Sequence, residues 1–165
     1  MKGKVILLSS AVLLMVFAVA PVMACTSVPA TVTTTTFLVY TPGSTYTTPS
    51  GFTIQVGGTL DAYAALTIDN TVHPVYSVNT YFAITSPNGD SYTQYDATWY
   101  VETSYVTLQT ANGFSGHIEM VGTTSSVGIQ CVLQGFGSFR GQTLMVSYSG
   151  PTSGELTWNG VDMMH

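Results

Sequence analysis

From residue 37 onward, apolar positions recur every second residue, not every third or fourth. Phe52-Thr53-Ile54-Gln55-Val56 alternates residue by residue. Phe37-Leu38-Val39-Tyr40, 62–68 and 80–85 are short runs rich in apolar and β-branched residues, and all of these are strand patterns. Ser91 to Leu108 reads as one or two strands dense in Tyr, Trp, Val and Thr. Gly116 to Val121, Ile129 to Leu133, Gln142 to Tyr148 and Glu155 to Trp158 complete the series. Pro87-Asn88-Gly89-Asp90, Ala111-Asn112-Gly113 and Asn159-Gly160 are the turn signals, because Asn-Gly tolerates the backbone angles of a tight hairpin. After the first 24 residues no window combines a helical period with a cap. About eight to ten short strands at this spacing predict an all-β domain, a single antiparallel barrel or sandwich.

The amino terminus has a different pattern. Lys2 and Lys4 precede an uncharged apolar run from Val5 to Ala20, which ends in Pro21-Val22-Met23-Ala24. That is the organisation of a secretory signal with small residues at the cleavage site, so residues 1–24 are expected to be removed and the protein to act outside the cytoplasm. An uncleaved anchor is the rival, since the run is about as long as a bilayer is thick. Val22-Met23-Ala24-Cys25 is also an imperfect lipoprotein signal, with Met23 where a small residue is usual. If Cys25 is not lipidated, the expected state is a disulfide between Cys25 and Cys131, the two cysteines of an exported chain. Closing that loop would contribute roughly 4–5 kcal/mol on the chain-entropy view. Residues 25–36, with Thr33-Thr34-Thr35-Thr36, are expected to be a flexible threonine-rich lead, and 37–165 one β domain.

Charge narrows the partners. Cleavage leaves 141 of 165 residues and takes both lysines, so Arg140 is then the one cation against eight acids, a net charge of −7. With no cluster of cations to displace phosphate counterions, nucleic acid is excluded as a partner, and anionic lipid surfaces are disfavoured for the same reason. A membrane enters only through the N-terminal segment or a lipidated Cys25. No Asn-x-Ser/Thr sequon is present.

Gly135-Phe136-Gly137-Ser138-Phe139-Arg140-Gly141 raises the question of a phosphate-binding loop. A dinucleotide fingerprint needs its third glycine one place earlier and a helix behind it, whereas 142–148 alternate as a strand. A P-loop lacks its Gly-Lys-Ser/Thr. The glycines are read as bends in a β connection. This segment, with the terminal Gly154-Glu155-Leu156-Thr157-Trp158-Asn159-Gly160, resembles the glycine-spaced end of small β-barrels of the dirigent and allene-oxide-cyclase type. The resemblance covers about a fifth of the chain. It implies a small apolar ligand held in the barrel mouth, with a cyclisation or coupling guided by shape. No catalytic residue is carried over by it.

The candidate chemistry is sparse. His117 and Glu119 fall on one face of a strand, opposite Ile118 and Met120, and an imidazole beside a carboxylate suits proton transfer or metal ligation. A solvated polar face is the plainer reading. Asn88, Asp90 and Asp96 lack calcium-loop spacing, and zinc lacks a third ligand, so no metal and no cofactor is expected. His73, before Pro74, is placed in a loop, and His165 is terminal. Cys131 lies in an apolar strand pattern and no nucleophile motif occurs. The aromatic group Tyr92, Tyr95, Trp99, Tyr100, Tyr105 is the one compositional excess. Alternation puts Tyr95 and Trp99 on one face and Tyr100 on the other, where such rings either fill a core or stack on a ligand. Arg140 is read as a partner for an acid or a turn cap before an anion site.

The function expected first is therefore an exported, non-catalytic β domain in cell-envelope structure, adhesion or surface assembly, with envelope proteins, glycans or its own copies as partners. The alternatives are a small barrel that binds an apolar molecule, with cyclase-like activity, and a carbohydrate-binding module. Trp99, Tyr95, His117, Glu119 and Arg140 are the candidate ligand-binding residues.

Overall fold

The computed structural model describes residues 25–101, 112–151 and 156–165, without the side chains of 34–38. Nine strands occur among them: β1 (Thr26–Thr41), β2 (Ser44–Thr47), β3 (Thr53–Ile68), β4 (Thr71–Thr85), β5 (Ser91–Val101), β6 (Asn112–Gly122), β7 (Ser126–Phe136), β8 (Gln142–Pro151) and β9 (Thr157–Met164). Each pairs antiparallel with its neighbour in sequence, except that β1 pairs with β3 on one side and β9 on the other. Those two pairings close eight strands into a ring, and β2 continues the line of β1 along the start of β3. The domain is a closed β-barrel rather than a sandwich.

Closure explains the alternation. Inward positions such as Val32, Leu66, Ala97, Trp99, Phe114, Ile129, Leu133 and Leu144 are buried, while Asp96, His117, Glu119, Gln130, Gln134 and Asn159 project from the outer wall into solvent. The outer wall also exposes apolar side chains, among them Val132, Met145 and Val161, which are in register across β7, β8 and β9. No helix among the described residues is long and apolar enough to cross a membrane.

Local chemistry sets the connections. β3 and β4 are joined by Asp69-Asn70 alone, both at positive φ (46° and 63°), the conformation of a two-residue hairpin that Asp and Asn tolerate better than most residues. The Pro87-Asn88-Gly89-Asp90 signal is the β4–β5 turn, closed by Ser86 N–H to Asp90 O at 2.8 Å. Between β7 and β8, Gly137–Phe139 form a single 3-10 turn, which folds Phe139 under the barrel so that its ring lies 4.9 Å from that of Phe114. A Cβ on Gly135 would overlap the Phe139 carbonyl, so this fold-back needs a glycine there. The glycine-rich stretch is a plug that seals one end of the barrel, in keeping with its reading as a β connection.

Five expectations are corrected. Asn112-Gly113 is not a turn but opens β6, paired with Val101 and Tyr100 of β5, where a Cβ on Gly113 would meet the Trp99 carbonyl. Residues 25–36 are not a free lead: from Thr26 they belong to β1, because threonine suits a pleated wall and this strand closes the ring. Asn159-Gly160 is not a turn but lies inside β9, where a Cβ on Gly160 would meet the Met145 carbonyl of β8. His73-Pro74 lies in β4, not a loop. The expected disulfide is absent: Cys25 is exposed ahead of β1 and Cys131 is buried inside β7. β9 and β8 separate them, three strand spacings or about 14 Å around the wall, well beyond the Cα separation a disulfide spans. The leader 1–24, Ala111 and Tyr105 fall outside the described residues.

Candidate functional site

An eight-stranded barrel is just wide enough to be filled by its own side chains or to hold one small ligand. Here the half beyond the plug is not filled. A cavity of about 230 Å³ lies there, partly open to solvent. Its walls are apolar, with Leu60 and Ala64 from β3, Ile118 and Met120 from β6, Ile129 from β7, and Leu156 just before β9. Small residues explain the space. Ala62 and Ala64 stand at inward positions of β3 where larger side chains would reach the centre.

Aromatic rings form the floor and one side. Trp99 of β5 and Trp158 of β9 approach to 5.9 Å between centroids, at 47°. Tyr95, one inward step beyond Ala97, stands beside them, and a chain of phenols leads from it to the surface. Tyr95 is 5.9 Å from Tyr81, Tyr81 stacks on Tyr40 at 5.9 Å, and the Tyr81 hydroxyl donates to that of Tyr40 at 2.8 Å. Burial, and then the neighbouring phenols, push the Tyr95 hydroxyl up to about 12. It is neutral at any physiological pH, and burial likewise raises Tyr81.

Ser77, Asn79 and the two tryptophans line the cavity besides Tyr95. Ser77 Oγ donates to Ala62 O at 3.2 Å. Asn79 Nδ2 donates to Leu60 O at 2.7 Å and to Ser77 Oγ at 3.2 Å, which fixes the amide so that Oδ1 is its free end. That Asn79 Oδ1 and the Trp158 Nε1–H are both buried and have no protein partner. Native proteins seldom leave such groups unpaired, because each costs about 1–3 kcal/mol when desolvated without a hydrogen bond. No charged side chain lines the cavity among the described residues.

The residues expected to act together divide. Trp99 and Tyr95 meet in the cavity as their shared face implied, with Tyr100 on the outside. His117 and Glu119 do share a face, but it is the outer wall. There His117 Nδ1 lies 2.8 Å from Asp96 Oδ1, its cross-strand partner, and Glu119 accepts from the Tyr92 hydroxyl at 3.3 Å. Both side chains of the His117–Asp96 pair are about two-thirds exposed or more, so it contributes little. Arg140 is exposed beside the plug, at the end away from the cavity. Asn88 bonds Asp90 within the β4–β5 turn, at 2.9 Å. Trp99 is 3% exposed, so its ring does not offer a platform to a sugar in solvent.

Sequence reasoning did not single out Asn79 or Trp158. Asn79 carried a usable signal: it is a polar residue in register with Val75 and Tyr81 on the inward face of a strand, where an amide is out of place unless it has work to do. Trp158 was read only as the end of a strand, because its role depends on a wall contributed by distant sequence. No protein-family model, no curated protein and no solved structure matches the chain.

Proposed function

We propose that this protein binds a small, predominantly apolar molecule inside its barrel and acts as an exported carrier or receptor for it. The observation behind the reading is the 230 Å³ apolar cavity, in a barrel of the size that either packs shut or holds one small ligand. A cavity of about 150 Å³ in another protein accepts benzene, so this one suits a ligand of roughly nine or ten non-hydrogen atoms. Tyr95, with its high pKa, and the uncharged lining suit holding such a molecule more than moving its protons. The export leader and the glycine-spaced resemblance to ligand-holding barrels agree with the reading. Native mass spectrometry of protein purified from its source tests it. A bound mass of roughly 120–180 Da, released by organic solvent and missing from Ala64→Phe, is the expected result. Apo protein that takes up no apolar probe contradicts it.

Surface assembly has one observation of its own. Tyr46 and Val56 are exposed on one face of the β2–β3 pair and Phe52 is exposed just ahead of β3, an apolar patch beside the closed ring. If this patch joins copies of the chain, sedimentation shows a concentration-dependent dimer that Val56→Lys abolishes. A monomer at every concentration removes this second reading.

A further inference from the structure

The apolar walls account for a greasy ligand but not for the two buried polar atoms that no protein group satisfies. Asn79 Oδ1 can only accept, and its amide cannot turn to present the other end, because Nδ2 is held by Leu60 O and Ser77 Oγ. Trp158 Nε1 can only donate. The two belong to one site. β9 lies four steps around the ring from β5, so the Trp158 and Trp99 rings come from opposite walls and meet inside the lumen. Trp99 pairs in register with Ser77, the inward neighbour of Asn79 on β4, and Asn79, Trp99 and Trp158 all line the same cavity.

We infer that the ligand is a neutral alcohol: an apolar body of about ten non-hydrogen atoms whose hydroxyl donates to Asn79 Oδ1 and accepts from Trp158 Nε1–H. The inference rests on the cavity-binding reading above and narrows it to a chemical class. A hydroxyl is the smallest uncharged group that offers both a donor and an acceptor. A hydrocarbon leaves both orphans unpaired. A carboxylate satisfies Trp158 but sets lone pairs against the Asn79 oxygen, and it enters a lining with no cation to offset its desolvation. Sites built to bond a hydroxyl discriminate strongly against the analogue that lacks it, because the penalty falls on the site's own unpaired groups.

Calorimetric titration of the full barrel with menthol, p-menthane and cyclohexylacetate, all near the size of the cavity, tests the inference. Menthol is expected to bind at least tenfold more tightly than p-menthane, and cyclohexylacetate not to bind at neutral pH. In Trp158→Phe, which keeps an aromatic ring and removes the N–H, the preference for menthol should fall severalfold while p-menthane still binds. Asn79→Leu should act in the same direction; it also frees the Leu60 carbonyl, so Trp158→Phe is the decisive variant if Asn79→Leu does not fold. Equal affinity for menthol and p-menthane, an unchanged preference in Trp158→Phe, or binding of cyclohexylacetate as tight as menthol overturns the alcohol assignment and leaves cavity binding intact. Failure of all three probes to bind overturns both.

Discussion

Trp99 and Trp158 meet across the diameter of the barrel, their ring centroids 5.9 Å apart, although they lie on strands four steps apart around the wall. The contact divides the interior. On one side Phe114, Leu133, Leu144 and the Phe139 plug pack shut, and on the other the cavity stays open. One pair of indoles is thus both the last layer of the core and the first surface of the site.

Trp99→Ala should therefore damage both. The ring is 3% exposed, and truncating a buried tryptophan costs about 3–5 kcal/mol. The expected outcome is a lower urea midpoint together with loss of ligand uptake, read by denaturation and calorimetry on the same sample. Unchanged stability would place the ring outside the core.

The plug predicts a separation of the two properties. Phe139 is half-buried and touches Phe114 and His73 but not the cavity. Phe139→Ala should lower stability by about 2 kcal/mol, less than for a fully buried ring, with ligand affinity within twofold of wild type. A large loss of affinity at unchanged stability would show that the plug shapes the site.

The alternation along β5, with Tyr95, Ala97, Trp99 and Val101 inward, was legible because the period of two survives any β architecture. Barrel against sandwich was not, since it turns on β1 pairing with both β3 and β9, and nothing local in a threonine run encodes two distant partners. Pro74 and Asn159-Gly160 misled for a shared reason: both are turn residues by intrinsic preference, and both sit in strands where the surroundings override it. Pro74 occupies an exposed position in β4, and Gly160 is needed for close approach to β8. The cavity was invisible because it is made by what is missing, small side chains at Ala62 and Ala64 opposite large rings from strands far along the chain.

The cysteines give a chemical check on the register. Cys25 is exposed, whereas burial raises the Cys131 thiol far above its ordinary range and so suppresses the reactive thiolate. In protein beginning at Cys25, a thiol reagent at pH 8 should titrate one group at once and a second only on unfolding. No free thiol in non-reduced protein would restore the disulfide and contradict this wall order.

Asp162 gives a pH dependence. It is 1% exposed near the sealed end, in register with Val28 and Leu144, and its Oδ1 has no partner. Burial raises its pKa, so the folded state holds the proton more tightly than the unfolded chain does. Its contribution is fully favourable below the ordinary carboxylate pKa near 3.9 and is lost as pH rises through the higher folded value. Asp162→Asn should consequently be more stable than wild type at pH 7, with the gain vanishing towards pH 3. A variant less stable than wild type at pH 7 would mean that the carboxylate is charged and paired.

The chain has two tryptophans, and both border the cavity. The proton–nitrogen NMR spectrum of the protein therefore contains two indole N–H signals, assigned by Trp99→Phe and Trp158→Phe. On titration with menthol the Trp158 signal should move downfield and saturate at one ligand per chain, as its unpaired N–H gains an acceptor inside the barrel. Indole signals that stay fixed while resonances of the outer wall shift would place the ligand outside the barrel and contradict the account.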